Sequence, residues 1–535
     1  MFAHMLKISD PVWSAWRWVA LLALLGLPLA CDRTLTEPEK APPLQASSIF
    51  APPPPPKVNP MPQQLAFTVQ PTTAEGAEPM SPSVRVAIVN LVTGLPGGGT
   101  VTLTLSPNTA GAKLFGTTAV NASGGVATFS NLRVDRPGTG YTLVASGANA
   151  AAVTSAPFAV HLNFTAVSAG VFHTCGLTIG HAAYCWGDNT YGQLGDARPE
   201  TQSPSPVLVA GGLTFSVVSA GGHTCGVTTG GATYCWGENQ AGQLGDGTAT
   251  GPQQCVPSGV GSCSTTPVAV ASALTFATVS AGASHTCGLT TAGAAYCWGD
   301  NTWGQLGDAG TETQSPSPVP VAGGLTFSVL SAGGGHTCGV TAGGATYCWG
   351  DNVHGALGDG GTEMRSASPV LVAGGLSFAA VSAGAFQTCG LTTSGTAYCW
   401  GWNLYGELGY GQYPGTNGTE FQQVTPVPVF AGFTYVALSA GGYHTCAFTI
   451  TLTYCWGRDY YGELGNGTTT GITGGYPSPV LVGSGTHTFT AVSAGFHHSC
   501  AVGPGDLAYC WGDNTYGQLG NGTTANSSLP VGVVQ

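Results

Sequence analysis

Three observations predict an all-β protein, a closed seven-bladed β-propeller preceded by a small β-sandwich. One pattern of short strands recurs seven times between about residue 163 and residue 535, with the first cysteine of each copy stepping by 50, 62, 51, 51, 57 and 54 residues. Periods near 50 made of several short strands belong to propellers or solenoids. The 535 residues include 84 Gly and 36 Pro, which leaves little room for helix. Upstream of the repeats, residues 65–160 alternate apolar and polar positions in short runs parted by Gly, Pro and Asn, the pattern of an independent β domain.

Residues 1–31 read as an export signal. Lys7 and Arg17 precede the apolar run Trp18 to Ala30, which suits a signal core and is short for a membrane span. Cys31 follows at once. Leu27, Pro28, Leu29, Ala30 and Cys31 resemble the lipobox of bacterial lipoproteins, although that family usually has Leu where this chain has Pro28. The resemblance implies lipidation at Cys31 and anchoring to a membrane of the cell envelope, periplasmic or at the cell surface. Residues 32–64 carry Pro42, Pro43, Pro52 to Pro56, Pro60 and Pro62, which favour an extended polyproline tether without a core.

In residues 65–160 the runs Val84 to Val89, Thr100 to Leu105, Val126 to Phe129 and Tyr141 to Val144 predict strands. The segment Gly125 to Leu132, followed by Asp135 to Tyr141, resembles bacterial immunoglobulin-like domains. That resemblance gives Tyr141 the tyrosine-corner position, its hydroxyl tied to nearby backbone. With no cysteine and no acid–base constellation, the domain reads as a spacer, with an adhesive module as the alternative.

Each copy of the long repeat, from 163 to 535, offers four strands. The first copy shows them as Phe164 to Ala169, His173 to Thr178, Ala183 to Gly187 and Pro206 to Val209. Four strands make one blade. Proline at the start of the last strand fits a sheet edge, because its missing N–H serves no ladder. The final strand, Pro530 to Val534, leaves no capping segment behind it, which favours a closed ring over an open solenoid. The strings His-Thr-Cys at 173–175, Trp-Gly-Asp-Asn at 186–189 and Gly-Gln-Leu-Gly at 192–195 resemble the regulator of chromosome condensation repeat family, across about 370 residues. The resemblance implies a seven-bladed propeller and, as in exported bacterial members, a ring that binds protein partners.

Cysteine arithmetic points to an oxidising compartment. Pairs recur on the second and third strands of every copy: Cys175 with Cys185, Cys225 with Cys235, Cys287 with Cys297, Cys338 with Cys348, Cys389 with Cys399, Cys446 with Cys455 and Cys500 with Cys510. Cys255 and Cys263 add a pair within one insertion, and Cys31 is the seventeenth. Neighbouring strands bring such residues close enough to bridge, and zinc sites use closer spacings.

Charge restricts partners. Twelve Lys and Arg against 24 Asp and Glu give a net charge of −12, which argues against nucleic acid. Histidines recur before Thr-Cys or Ser-Cys at 173, 223, 285, 336, 444 and 498, with Gln387 in the fifth copy. Repetition in nearly every blade favours a structural role over a metal ring. Asp188 and Asn189, with their counterparts, read as turn caps rather than calcium ligands. Glu407 and Glu463 replace the usual Gln in adjacent copies and form only a faint catalytic pair. No enzyme, cofactor or metal is expected. The segments between Leu-Gly and Pro-Val vary most and share one face of a propeller. Copies five and six depart furthest from the repeat, with Trp402 and Arg458 in place of Asp. Ligand contacts are therefore expected around Trp402, Tyr405, Tyr410, Tyr413, Phe421, Arg458 and Tyr461, where aromatics surround one of three propeller cations. The reading is a non-enzymatic surface scaffold for a protein partner, with polysaccharide as the alternative. Guanine-nucleotide exchange, the eukaryotic role of the family, fits an exported, disulfide-bonded chain poorly.

Overall fold

A computed structural model describes residues 62–534 apart from 107–110, 256–260, 414–420, 431, 472–473, 484 and 486–487. The signal-like segment with Cys31, and the tether up to residue 61, lie outside the described residues.

Residues 63–161 form strands and turns without a helix among the described residues. Gln63–Val69 pairs antiparallel with Val84–Asn90, which pairs in turn with Val126–Phe129. Thr100–Ser106 pairs with Gly138–Gly147. Along Val84–Asn90 the buried residues are Val84, Val86 and Ile88, every second position. That period of two turns one face inward, onto a core with Leu65, Leu103, Phe129 and Leu143. Tyr141 is buried there, and its hydroxyl donates to Pro137 O at 3.3 Å.

The repeats form seven antiparallel sheets, in each of which the four repeat strands form a meander in sequence order. Blade 1 runs from Phe164 to Leu208, blade 2 from Phe215 to Ala269, blade 3 from Phe276 to Pro320 and blade 4 from Phe327 to Leu371. Blade 5 spans Phe378 to Pro428, blade 6 Ala437 to Leu481 and blade 7 Ala491 to Gly532. The Ser-Ala-Gly end of each first strand meets its neighbours around a cavity of about 90 Å³ lined by Ala and Gly. Small side chains are what seven strands converging on one axis can accommodate.

The fourth strand is the outer edge and starts upstream of the Pro-Val pair, at Gln202 in blade 1. Pro204 and Pro206 sit two residues apart, so both missing N–H groups face the same side, outward. In blade 2 the insertion adds a fifth strand, Gln253–Gln254, outside Ser262–Ala269. The seven repeat cysteine pairs face each other in register, as Cys175 faces Cys185, and all seven are bridged, as are Cys255 and Cys263.

The ring is closed. Blade 7 meets blade 1 through the contacts used between other blades: Phe496 N donates to Gly170 O at 3.1 Å and Ala169 N to Ser493 Oγ at 2.9 Å. The first sheets lean on blade 1. Asp135 pairs with Arg198, and Tyr184 is fully buried where its counterparts, such as Tyr234 and Tyr296, are half-exposed. A Cβ on Gly76 would lie 2.5 Å from both Leu162 Cδ2 and the Tyr184 hydroxyl.

Candidate functional site

The repeated residues lock blade to blade. His173 Nε2 lies 2.7 Å from Thr224 Oγ1 of the next blade, and that hydroxyl donates to Gln193 O at 2.9 Å. The hydroxyl has one proton and spends it on the carbonyl. The histidine must therefore donate from Nε2, which fixes its neutral tautomer. The same arrangement recurs from His223 to Thr286, His285 to Thr337, His336 to Thr388, His444 to Ser499 and His498 to Thr174. Burial holds these histidines far below their ordinary pKa, at about 3, or about 4 for His285. In blade 5 Gln387 takes over, its Nε2 donating to Gly441 O at 3.1 Å. Each repeat Trp donates Nε1 to the carbonyl that the Thr also uses, as Trp236 does to Gln193 O at 3.0 Å. The glycine ending Gly-Gln-Leu-Gly lies flat on that ring: Gly195 has φ +68°, and a Cβ there would be 2.7 Å from Trp236 Cδ1.

The turn after the third strand is a second repeated device. In blade 1 Asp188 Oδ1 accepts from Thr190 N and Oγ1, and its Oδ2 accepts from Gln193 Nε2 at 2.6 Å. Gln193 Oε1 accepts from Tyr191 N at 2.8 Å. Asp300 with Gln305 and Asp513 with Gln518 repeat the clamp in blades 3 and 7. Blades 5 and 6 lose the aspartate to Trp402 and Arg458, and there the glutamine becomes Glu407 and Glu463. The exchange has a physical reason: a glutamine amide would have no carboxylate to donate to. Both glutamates keep the backbone bond, to Tyr405 N at 2.8 Å and Tyr461 N at 2.7 Å. Burial raises both to about 8. These carboxylates hold turns.

The insertions and the turns between first and second strands share one face, as the bond from Asp188 N to Phe172 O shows. On this face Arg458 is enclosed. Its guanidinium lies 5.3–5.7 Å from the ring centres of Tyr405, Tyr443, Tyr460 and Tyr461. It donates to His497 Nδ1 at 3.2 Å, and Glu463 Oε1 is 3.8 Å from its Nε. Tyr405 and Tyr461 thus share one cluster with Arg458. Trp402 packs on His354, ring centres 4.1 Å apart, and His354 contacts Phe386, which continues to Tyr443. Tyr410 accepts from Asn403 Nδ2 at 3.0 Å and is half-buried, while Tyr413 donates to Gly475 O at 2.8 Å. Phe421 and Tyr413 are each 49% exposed. Segment 414–420 between them lies outside the described residues.

The RCC1-like domain model matches residues 213–535, which spans blades 2 to 7 and more than half of the chain. The chain belongs to the RCC1-like domain family. Models of the regulator of chromosome condensation (RCC1) repeat also match residues 164–193 and 181–227. The chain is 29% identical over 371 residues to the ultraviolet-B receptor UVR8 of Arabidopsis thaliana, covering 68% of this chain and 80% of that one. It is 31% identical over 252 residues to the human E3 ubiquitin-protein ligase HERC2, which is 46% of this chain but 5% of HERC2. Among solved structures, Prp20p of Saccharomyces cerevisiae matches with a TM-score of 0.54 at 21% identity, over 63% of this chain and 82% of Prp20p. Human WBSCR16 matches at 0.55 and 19%, over 76% of this chain and the whole of WBSCR16. Both likenesses concern the fold.

Within this RCC1-like ring the structure adds residues that sequence reasoning missed. Thr190, Thr302 and Thr515 follow the turn asparagine in blades 1, 3 and 7 and bond the clamp aspartate. Blades 4, 5 and 6 carry Val353, Leu404 and Tyr460 there, and Val353 and Leu404 are 40% and 37% exposed. Met364 of blade 4 is 67% exposed. Aligning the seven turns position by position exposes this run of apolar replacements. A second signal lies just before the lock histidine, where Phe172, Phe386, Tyr443 and His497 in blades 1, 5, 6 and 7 oppose Gly222, Ser284 and Gly335 in blades 2 to 4.

Proposed function

We propose that this protein is an exported, envelope-anchored scaffold that binds a protein partner through the insertion face of blades 4 to 6 and catalyses no reaction. The observation that carries the reading is the exposed apolar set of Val353, Met364, Leu404 and Phe421, at positions where blades 1 and 3 carry Thr190, Thr201, Thr302 and Thr313. Soluble surfaces keep such groups dispersed unless something covers them. Aromatics beneath and around them, with few lysines, match the core of a protein interface. Val353, Met364 and Leu404 give a sugar ring nothing to stack on and outnumber the exposed rings of Tyr413 and Phe421, so a protein is preferred to polysaccharide. Prp20p, which has binding properties toward Gsp1p and histones, shares the fold of this ring. The eight disulfides support an oxidising compartment and weigh against an intracellular exchange factor. Within this reading Cys31 carries the lipid, residues 32–64 are the tether, and residues 65–160 are an immunoglobulin-like spacer.

The test is capture of envelope proteins by the wild type and by Met364→Ser/Phe421→Ser, followed by affinity measurement on the captured partner. Both side chains stand in solvent, so folding should be unaffected, and binding should weaken by about 1–2 kcal/mol or more. Unchanged affinity would remove this face from the reading. Cys31→Ser should release the protein from membranes.

A further inference from the structure

The described residues hold seven Lys and Arg, and four of them, Lys113, Arg133, Arg136 and Arg198, gather where the N-terminal sheets meet blade 1. In a chain of net charge −12 this concentration needs a cause. Arg198 is satisfied, since it pairs with Asp135 and lies 3.6 Å from Asp196. Lys113, Arg133 and Arg136 form no ion pair within 4.0 Å among the described residues. Arg136 Nε is buried without any acceptor. Burial first, and Arg198 second, lower the pKa of Arg136. A buried guanidinium N–H left unpaired is destabilising, and an arriving anion would offset that cost.

The same place is hollow. A cavity of about 550 Å³ opens beside Lys113, Arg133 and Arg198, with Phe115, Leu208 and Leu213 among its walls. A second, of about 310 Å³, adjoins it and is lined by Lys113, Arg136 and Arg198. Lys113 and Arg198 belong to both. A volume near 550 Å³ falls within the roughly 300–1,000 Å³ of small-molecule sites, which combine apolar walls with a few placed polar groups.

We propose that this two-lobed cleft binds a small organic anion, its carboxylate or phosphate head held by Lys113 with Arg133 and Arg136 and its apolar body against Phe115 and Leu213. Asp196 borders both lobes, with Glu200 at the smaller and Glu78 and Asp135 at the larger, so the cations are balanced locally and a dispersed acidic surface would gain little there. A compact head that reaches the unpaired donors gains most. The site shares no residue with the insertion face of blades 4 to 6, so either reading can fail alone.

Isothermal titration of the full chain with phenyl phosphate, phenylacetate, inorganic phosphate and phenol, at one ionic strength, tests this. One-to-one binding of phenyl phosphate or phenylacetate is expected, and which of the two binds tighter identifies the head group. Inorganic phosphate and phenol should each bind about tenfold more weakly, because each lacks one half of the ligand. Lys113→Glu/Arg133→Glu should weaken the better aryl anion at least about tenfold. Arg133→Gln alone, which adds no repulsion, should do so by a smaller factor with an unchanged melting temperature. No heat from either aryl anion, equal binding of inorganic phosphate, or full affinity in the double variant would overturn the proposal.

Discussion

Acid should unfold this propeller steeply, because six histidines are held neutral inside it. His173, His223, His285, His336, His444 and His498 fall from 6.5 to about 3 or 4 on burial. The folded pKa lies below the unfolded one, so below about pH 6.5 the unfolded chain binds more protons. The stability contributed by each neutral histidine is whole above that pH and lost on descent, by up to about 1.4 kcal/mol per pH unit. Glu407 and Glu463 act in the opposite sense. Burial raises them from 4.5 to about 8, so in that window the folded state holds protons that the unfolded chain gives up. His497 is lowered to about 3 as well, and burial raises Asp459 to about 6. Between about pH 5.5 and 4.5 about seven protons taken up on unfolding are set against about three released. The net of about four corresponds to about 5 kcal/mol lost per pH unit, comparable to the whole stability of many domains. Blade 5 supplies the control, because Gln387 keeps a cross-blade hydrogen bond with a side chain that does not titrate. His223→Gln/His336→Gln/His498→Gln should fold and should lose only about 1–2 kcal/mol over the same pH unit. Urea unfolding followed by tryptophan fluorescence at about pH 7.5, 5.5 and 4.5 measures both slopes. Parallel pH dependence in variant and wild type would show that these histidines do not carry the acid sensitivity.

Three further outcomes follow from the same contacts. Cys446→Ser/Cys455→Ser opens one of the seven repeat bridges and should cost about 3 kcal/mol, read by thermal unfolding, while peptide mapping shows the other bridges intact. Ser439→Ala leaves Ala494 N without its acceptor at the junction of blades 6 and 7 and should cost about 1–3 kcal/mol in chemical denaturation, whereas Ser216→Ala, on a part-exposed contact, should be nearly silent. Glu407→Gln keeps the bond to Tyr405 N but cannot ionise, so its stability relative to wild type should climb by up to about 1.4 kcal/mol per unit between pH 4.5 and about 8.

Period, blade number, strand order within a blade and the repeat cysteine pairs were legible because all are local or recur with the repeat. Cys175 and Cys185 are ten residues apart on adjacent strands, so register alone brings them together. The locks between blades were not legible as pairs. His173 and Thr224 are 51 residues apart, and nothing in one sequence says that the histidine of one copy meets the threonine of the next. The pairing of Asp135 with Arg198 joins two different folds 63 residues apart and leaves no periodic trace.

The candidate face was legible only in part, for a reason that concerns how repeats are read. A residue that breaks the pattern marks a place where something besides folding sets the choice, but one break forces another. Glu463 departs from glutamine because Arg458 has removed the aspartate that an amide would have served, and it lies beside that arginine. Glu407 departs for the same reason beneath Trp402. Each clamp therefore counts as one departure, and the glutamates carry no separate sign of chemistry. Leu404 and Tyr460 follow in the same way, since the aspartate that a threonine hydroxyl would serve is gone from blades 5 and 6. Val353 is different, because Asp351 is still there to accept from a threonine. Val353 keeps the backbone bond to Asp351 Oδ1 at 2.9 Å that threonine makes in blade 1, and gives up only the hydroxyl. Losing a polar tip at an exposed position, while the fold retains every bond it needs, is what a covered surface would select. Val353 therefore supports the proposed interface, at its blade 4 side, more directly than the enclosed Arg458 does.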